Sequence, residues 1–215
     1  MQINNSTNYN YNFKAIKIAK VSNVCVDNAV VDIYKITKND KKFLEKLEQK
    51  IDYKSLFPKL DDYSIDRWQN IFRYCISQIL EGYNTSYIAF FNKKPCGLLT
   101  SVQEGNDLYL DGICSIPVEI NKKFNGIGKI LFFQFFKDFQ KNKCKTASLS
   151  AVNNGPFNVV KKYEKLGFVK DPCSFPYSKM VCNKFKIQTQ LQNLEKEFEY
   201  QEQEPVITDL TQFIN

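Results

Sequence analysis

The segment Lys122-Lys123-Phe124-Asn125-Gly126-Ile127-Gly128 runs without interruption into Lys129-Ile130-Leu131-Phe132-Phe133-Gln134-Phe135-Phe136. The second stretch reads as a helix buried on most of its sides, and the first as the loop that enters it. Gly126 and Gly128 lack a Cβ, so they can take positive φ and let a ligand approach the main chain. The amides that begin a helix have no partner inside it, and the helix dipole favours an anion beside them. The junction therefore predicts a pyrophosphate-binding site, without saying which pyrophosphate.

At 215 residues the chain is long enough for one domain with extensions and a sizeable core. Its net charge of +7 is unevenly spread, because residues 184–215 hold three Lys against five Glu and one Asp. The basic body suits an anionic ligand. No tight Lys/Arg cluster, helix-turn-helix or zinc-finger pattern accompanies it, which argues against nucleic acid. Histidine is absent and none of the seven Cys forms a CxxC pair. That excludes Ser-His-Asp and Cys-His hydrolases and finger-type zinc sites, so no metal is expected. An odd number of thiols without a signal sequence predicts reduced cysteines in a cytoplasmic protein, with Cys75, Cys114 and Cys182 as small core residues. No apolar run reaches the length of a membrane span.

Periodicity outlines the elements. The Asn-rich first dozen residues are expected to be disordered. Strands are predicted at 13–21 and 29–36, then helices through 51 and over 64–80. Tyr87–Phe91 and Pro95–Val102 flank a hairpin turn at Asn92-Lys93-Lys94, and Leu108–Ile116 follows as a third strand. After the glycine loop and its helix come a strand at 146–152, a short helix at 156–166 closed by Gly167, and strands at 168–169 and 177–181. Residues 185–202 read as a helix with Ile187, Leu191, Leu194 and Phe198 on one face. The order implies a mixed sheet, parallel around the glycine loop and antiparallel elsewhere. Three segments result: an extension at 1–28, a domain at 29–183 and an acidic tail at 184–215.

A second signal closes the short helix: Lys161-Lys162-Tyr163-Glu164-Lys165-Leu166-Gly167-Phe168. With the strand-to-glycine-loop junction, it resembles the GNAT superfamily of acetyl-CoA-dependent N-acetyltransferases over roughly residues 31–183. The family's phosphate loop reads Arg/Gln-x-x-Gly-x-Gly/Ala; here Lys123 stands at its first position, while Gly126 and Gly128 match. The chain is a few residues longer than usual between Pro117 and the loop. The resemblance implies an α/β (α+β) fold with a GNAT-like mixed, mostly antiparallel central sheet flanked by helices.

It further implies acetyl-CoA as co-substrate, held by Ser115 and Ile116, by Lys123, Phe124, Asn125, Gly126, Ile127, Gly128 and Lys129 of the loop, and by Asn154. Tyr163 would protonate the departing thiolate. A base must deprotonate the amine: Glu104, Asp107 and Asp111 are the candidates, and many relatives use a water chain. Asp111, alternating with Tyr109 and Ile113, is read as facing the site. Trp68, Tyr63 and Phe72 are candidates for the acceptor side, although their helical spacing also fits core residues. The expected partner is an amine-bearing small molecule or protein, with no membrane, no nucleic acid and a homodimer allowed for. The rival readings are a non-catalytic acyl-CoA-binding module on the same fold and a nucleic-acid binder.

Overall fold

The computed structural model describes residues 14–23, 29–82, 84–120, 122–152, 159–174 and 178–214, and of 122 and 123 the backbone alone. Two strands, β1 (Ile16–Ser22) and β2 (Val31–Ile36), open the chain. Thr37 and Asp40 form a capping box that turns it into α1 (Lys41–Lys50). A single turn, α2 (Tyr53–Leu56), precedes α3 (Asp62–Glu81), which Asp61 caps and a left-handed Gly82 ends. The antiparallel meander β3 (Thr85–Phe91), β4 (Lys94–Glu104) and β5 (Asp107–Ser115) follows. Asn92 and Lys93 both take positive φ in the turn between β3 and β4, matching the right-handed twist of a hairpin.

A small hairpin, β6 (Pro117–Glu119) and β7 (Lys122–Lys123), takes up the extra residues before the glycine loop. Then come α4 (Ile127–Lys141), β8 (Thr146–Ser150), α5 (Val159–Lys165), β9 (Val169–Lys170), β10 (Lys179–Asn183), α6 (Lys184–Leu194) and β11 (Glu199–Ile207). The nine-stranded sheet has the order β11-β1-β2-β3-β4-β5-β8-β10-β9. Among the described residues, only β5 and β8 pair in parallel. The sheet is thus mixed and mostly antiparallel, as expected. One apolar layer joins its face to α1, α2 and α3 through Phe43, Leu44, Leu47, Tyr53, Phe72 and Ile76. The other joins it to α4 and α6 through Ile130, Phe132, Phe133, Phe136, Ile187 and Leu191.

Two expectations change. The tail helix stops at Leu194, and Glu199–Ile207 is a strand lying antiparallel to β1, with Val21 opposite Tyr200 and Lys20 opposite Gln201. An unpaired β1 would present a row of free N–H and C=O groups, and β11 satisfies them. Segments from both sides of 29–183 therefore lie in the same sheet. Phe198, expected on the tail helix, is buried beyond its end, edge-on to Phe133 at 5.3 Å. The Asn-rich start, Pro156 and Tyr177 fall outside the described residues. Among the described residues no helix is long and apolar enough to cross a membrane.

Candidate active site

Of the two loop glycines, Gly126 takes the positive φ its position allows, while Gly128 lies within the first turn of α4. Gly126 caps α4 with φ +92°, a left-handed conformation that side chains rarely adopt. Its carbonyl accepts the amides of Lys129 at 2.9 Å and Ile130 at 3.1 Å, so the amides of Ile127 and Gly128 lead the helix without an intrahelical partner. A Cβ placed on Gly128 would meet nothing within 4 Å, so the space over that turn is open. Gly97 sets the helix against the sheet: a Cβ there would come within 2.8 Å of the Ile127 side chain. Because Gly97 pairs with Ser115, the N-terminus of α4 lies at the Ser115 end of β5.

The other loop residues divide by role. Phe124 is half-buried and packs on Phe91 with ring centroids 4.7 Å apart, whereas the Ile127 side chain is buried and can serve a ligand only through its backbone. Asn125 is exposed. Lys129 forms an ion pair with Glu197, beyond α6. The side chain of Lys123 and the whole of Asn154 lie outside the described residues.

The strands part at this end. Among the described residues, parallel pairing of β5 with β8 runs from Asp107 opposite Thr146 to Leu110 opposite Leu149 and goes no further, although β5 continues to Ser115. Successive peptides of a strand face opposite edges. The Ile116 amide donates to the Cys96 carbonyl of β4 at 2.9 Å. The peptides of Ile113 and Ser115 consequently face the parting. Of the two residues at the end of β5 expected to help hold the co-substrate, Ser115 has its amide on the open side; that of Ile116 is already engaged. The Tyr53 hydroxyl reaches the same edge and donates to the Ser115 carbonyl at 3.0 Å.

Tyr163, on α5, is half-buried, with its ring 5.7 Å from Phe132 and 6.4 Å from Phe168. Its carbonyl accepts the amides of Leu166 and Phe168, which fixes the turn at Gly167. Burial, and secondarily the charge of Cys75, pushes the phenol up to about 12. Cys75 lies on α3 against Gly112, two residues before Cys114 along β5. A hydrogen bond with Cys114, reinforced by burial, raises the Cys75 thiol well above its ordinary range.

Asp111 needs a correction of face. The register of β4 and β5 slips between Thr100 and Ser101: Thr100 pairs with Gly112 and Ser101 with Leu110, which leaves Asp111 as the extra residue of a bulge. Alternation breaks there, and Ile113 turns towards the α4 layer while Asp111 meets α3. Its carboxylate accepts from Tyr74 Oη at 2.6 Å and Asn84 Nδ2 at 2.7 Å. It is the first residue of β5 past the last pair with β8, so the bulge delivers it to the mouth of the parting. Asp107 sits at the closed end and accepts from Thr146 at 2.8 Å and from Ser148. Its part is to join β5 to β8. Glu104 pairs opposite Asp107 at that same end.

Of the expected acceptor-side aromatics, Phe72 is fully buried and Tyr63 is exposed. Trp68 packs edge-on to Tyr53 at 5.9 Å and to Phe57 at 5.1 Å. Tyr53 itself escapes a sequence reading, since its hydrogen bond spans 62 positions and ends on a backbone carbonyl.

No family model matches the sequence. No curated protein matches it either. Among solved structures, an uncharacterized protein from Bacillus halodurans aligns over 85% of this chain and 98% of its own, with TM-score 0.56 and 14% identity. The PaiA N-acetyltransferase of Thermoplasma acidophilum, solved with coenzyme A, aligns over 71% of this chain and 98% of its own, with TM-score 0.49 and 17% identity. A GNAT family acetyltransferase from Elizabethkingia anophelis, solved with acetyl-CoA bound, aligns over 50% and 80%, with TM-score 0.42 and 15% identity. At such identities the likeness is one of fold.

Proposed function

We propose that this chain, whose fold is GNAT-like, is an acyl-CoA-dependent N-acyltransferase that moves an acetyl group from acetyl-CoA to a primary amine in a ternary complex. The observation that carries the reading is the parting of β5 from β8 beyond Leu110, directly beside the open amides of the Gly126–Gly128 turn. An extended arm can pair with the free edge of β5 while its pyrophosphate rests on the N-terminus of α4. The Ser115 amide would donate to the thioester carbonyl and stabilise the negative charge that grows there as the amine attacks. Tyr163, kept protonated by its burial, would give its proton to the departing thiolate. Asp111, holding Tyr74 and Asn84, would draw the proton from the amine directly or through water. Holding both reactants together supplies much of the rate.

Calorimetry with acetyl-CoA tests the first half, and no binding at sub-millimolar concentration would sink the reading. Thiol release over a panel of primary amines tests the second. Binding without release would leave a non-catalytic acyl-CoA-binding module.

A further inference from the structure

The edge of β5 beyond Leu110, unpaired among the described residues, is not chemically uniform. Ile113 presents both an N–H and a C=O to the parting, whereas at Ser115 the carbonyl is already taken by the Tyr53 hydroxyl, 3.0 Å away. Tyr53 is firmly placed. It is only 1% exposed, with Phe57, Trp68 and Phe72 around its ring at 6.4, 5.9 and 5.9 Å. Its amide donates to Gln69 Oε1 at 3.2 Å, and Asp52 caps the turn that carries it. Burial, ahead of the nearby Cys114 and Cys75, raises the phenol well above its usual range, so it stays a donor.

The edge therefore offers a donor and an acceptor at Ile113 and a donor alone at Ser115, about 6.6 Å further on. An amide carries both groups, whereas a thioester carries a carbonyl and no N–H. The cysteamine unit of an acyl-CoA separates one such amide from the thioester. We propose that Tyr53 is a positioning residue: by occupying the Ser115 carbonyl it fixes that bend of β5 and leaves the N–H as the one backbone group of Ser115 facing the thioester. Without the hydroxyl, the carbonyl would be bare in an apolar pocket, where a water or the incoming ammonium would bind to it and draw the thioester out of line. The inference rests on the acyl-CoA reading above.

The test is Tyr53→Phe in the full chain, with acetyl-CoA as the probe. The affinity for acetyl-CoA is expected to stay within about threefold, while kcat falls about tenfold, less than the loss of a direct oxyanion donor. Infrared difference spectra of bound acetyl-CoA labelled with 13C at the thioester carbonyl supply a readout that mere packing would not move. The N–H bond lowers the stretch in the wild type, and the variant is expected to shift it back towards the free value. Wild-type and variant proteins with the same kcat and the same stretch would overturn the role of Tyr53 alone. A wild type that binds no acetyl-CoA would overturn the acyl-CoA reading and this inference with it. Should thermal melting show that Tyr53→Phe does not fold, fluorotyrosine at position 53 keeps the ring and alters the donor. A changed stretch then supports the proposal, and an unchanged one overturns it.

Discussion

Single residues decide where the chemistry sits, and Asp111 shows how narrowly. Strict alternation along β5 would set it beside Ile113, yet one bulged position turns it to α3, where Tyr74 and Asn84 hold it at the mouth of the parting. A bulge arises from pairing with a second strand, so the sequence names the residue but not its face. The turn after Tyr163 was legible for a different reason: the spacing to Gly167 and Phe168 is local, and the left-handed Gly167 closes it as that spacing requires. The titration of Tyr163 gives a test. A phenol raised to about 12 keeps its proton, and with it any capacity to donate, until pH approaches that value. The rate is therefore expected to show no basic limb from Tyr163 below about pH 11, while Tyr163→Phe lowers kcat by about 10² with acetyl-CoA affinity nearly unchanged. A variant with wild-type kcat would remove Tyr163 from the mechanism.

At the scale of elements, the loop and helix that opened the sequence reading were legible because each feature is local. Glycines make the turn, and the unbroken apolar run makes α4, whose Ile130, Leu131, Phe132, Phe133, Phe135, Phe136 and Phe139 are all buried. The two glycines nevertheless do different work, and substitution separates them. Gly126 needs φ +92°, so Gly126→Ala is expected to cost about 1 kcal/mol or more and lower Tm. Gly128 has helical backbone with nothing within 4 Å of an added Cβ. Gly128→Ala should therefore raise stability by about 0.5–1 kcal/mol through the gain in helix propensity. It should also weaken acetyl-CoA binding at least about tenfold, because the methyl group fills the space a phosphate would need. Opposite signs in melting and calorimetry mark a turn kept open for a ligand. A Gly128→Ala protein that binds as well as wild type would reduce the loop to an ordinary helix entry.

Across the whole molecule, what local patterns could not reveal is how the chain's last third closes the sheet. Glu199–Ile207 is rich in Glu and Gln and mostly exposed, so its composition gives no strand signal; its conformation comes from the partner edge of β1. The closure also reaches inward. Tyr200 donates to Gln134 at 2.6 Å, and Gln134 and Tyr87 both donate to Asp138, a polar chain buried beneath α4. Burial raises the Asp138 carboxyl above its usual range, outweighing the hydrogen bonds from Tyr87 and Gln134. A carboxyl raised on folding stabilises the fold fully below the unfolded range, and that contribution is lost as pH climbs through the folded value. The Tm of the wild type relative to Asp138→Asn is therefore expected to fall as pH rises from acidic to neutral. A pH-independent difference would place the cost of Asp138 elsewhere.

The same closure holds the candidate site. Glu197 pairs with Lys129, one residue past Gly128; Glu202 pairs with Lys137 at 2.6 Å; and Phe198 fills the layer against Phe133. A chain ended after Leu194 loses all three and leaves the edge of β1 bare. The loss of Phe198 alone should cost about 3–5 kcal/mol, whereas the exposed ion pairs contribute about 1 kcal/mol or less each. The urea midpoint is thus expected to fall sharply, and size-exclusion chromatography should show association through the uncovered edge. Phe198→Ala keeps β11 and both acidic residues, so it separates packing from edge covering. It should reproduce most of the midpoint shift while the protein elutes as the wild type does. If truncation left the midpoint in place, β11 would be an accessory laid on a complete domain, and the hold of Glu197 on α4 would carry no stability.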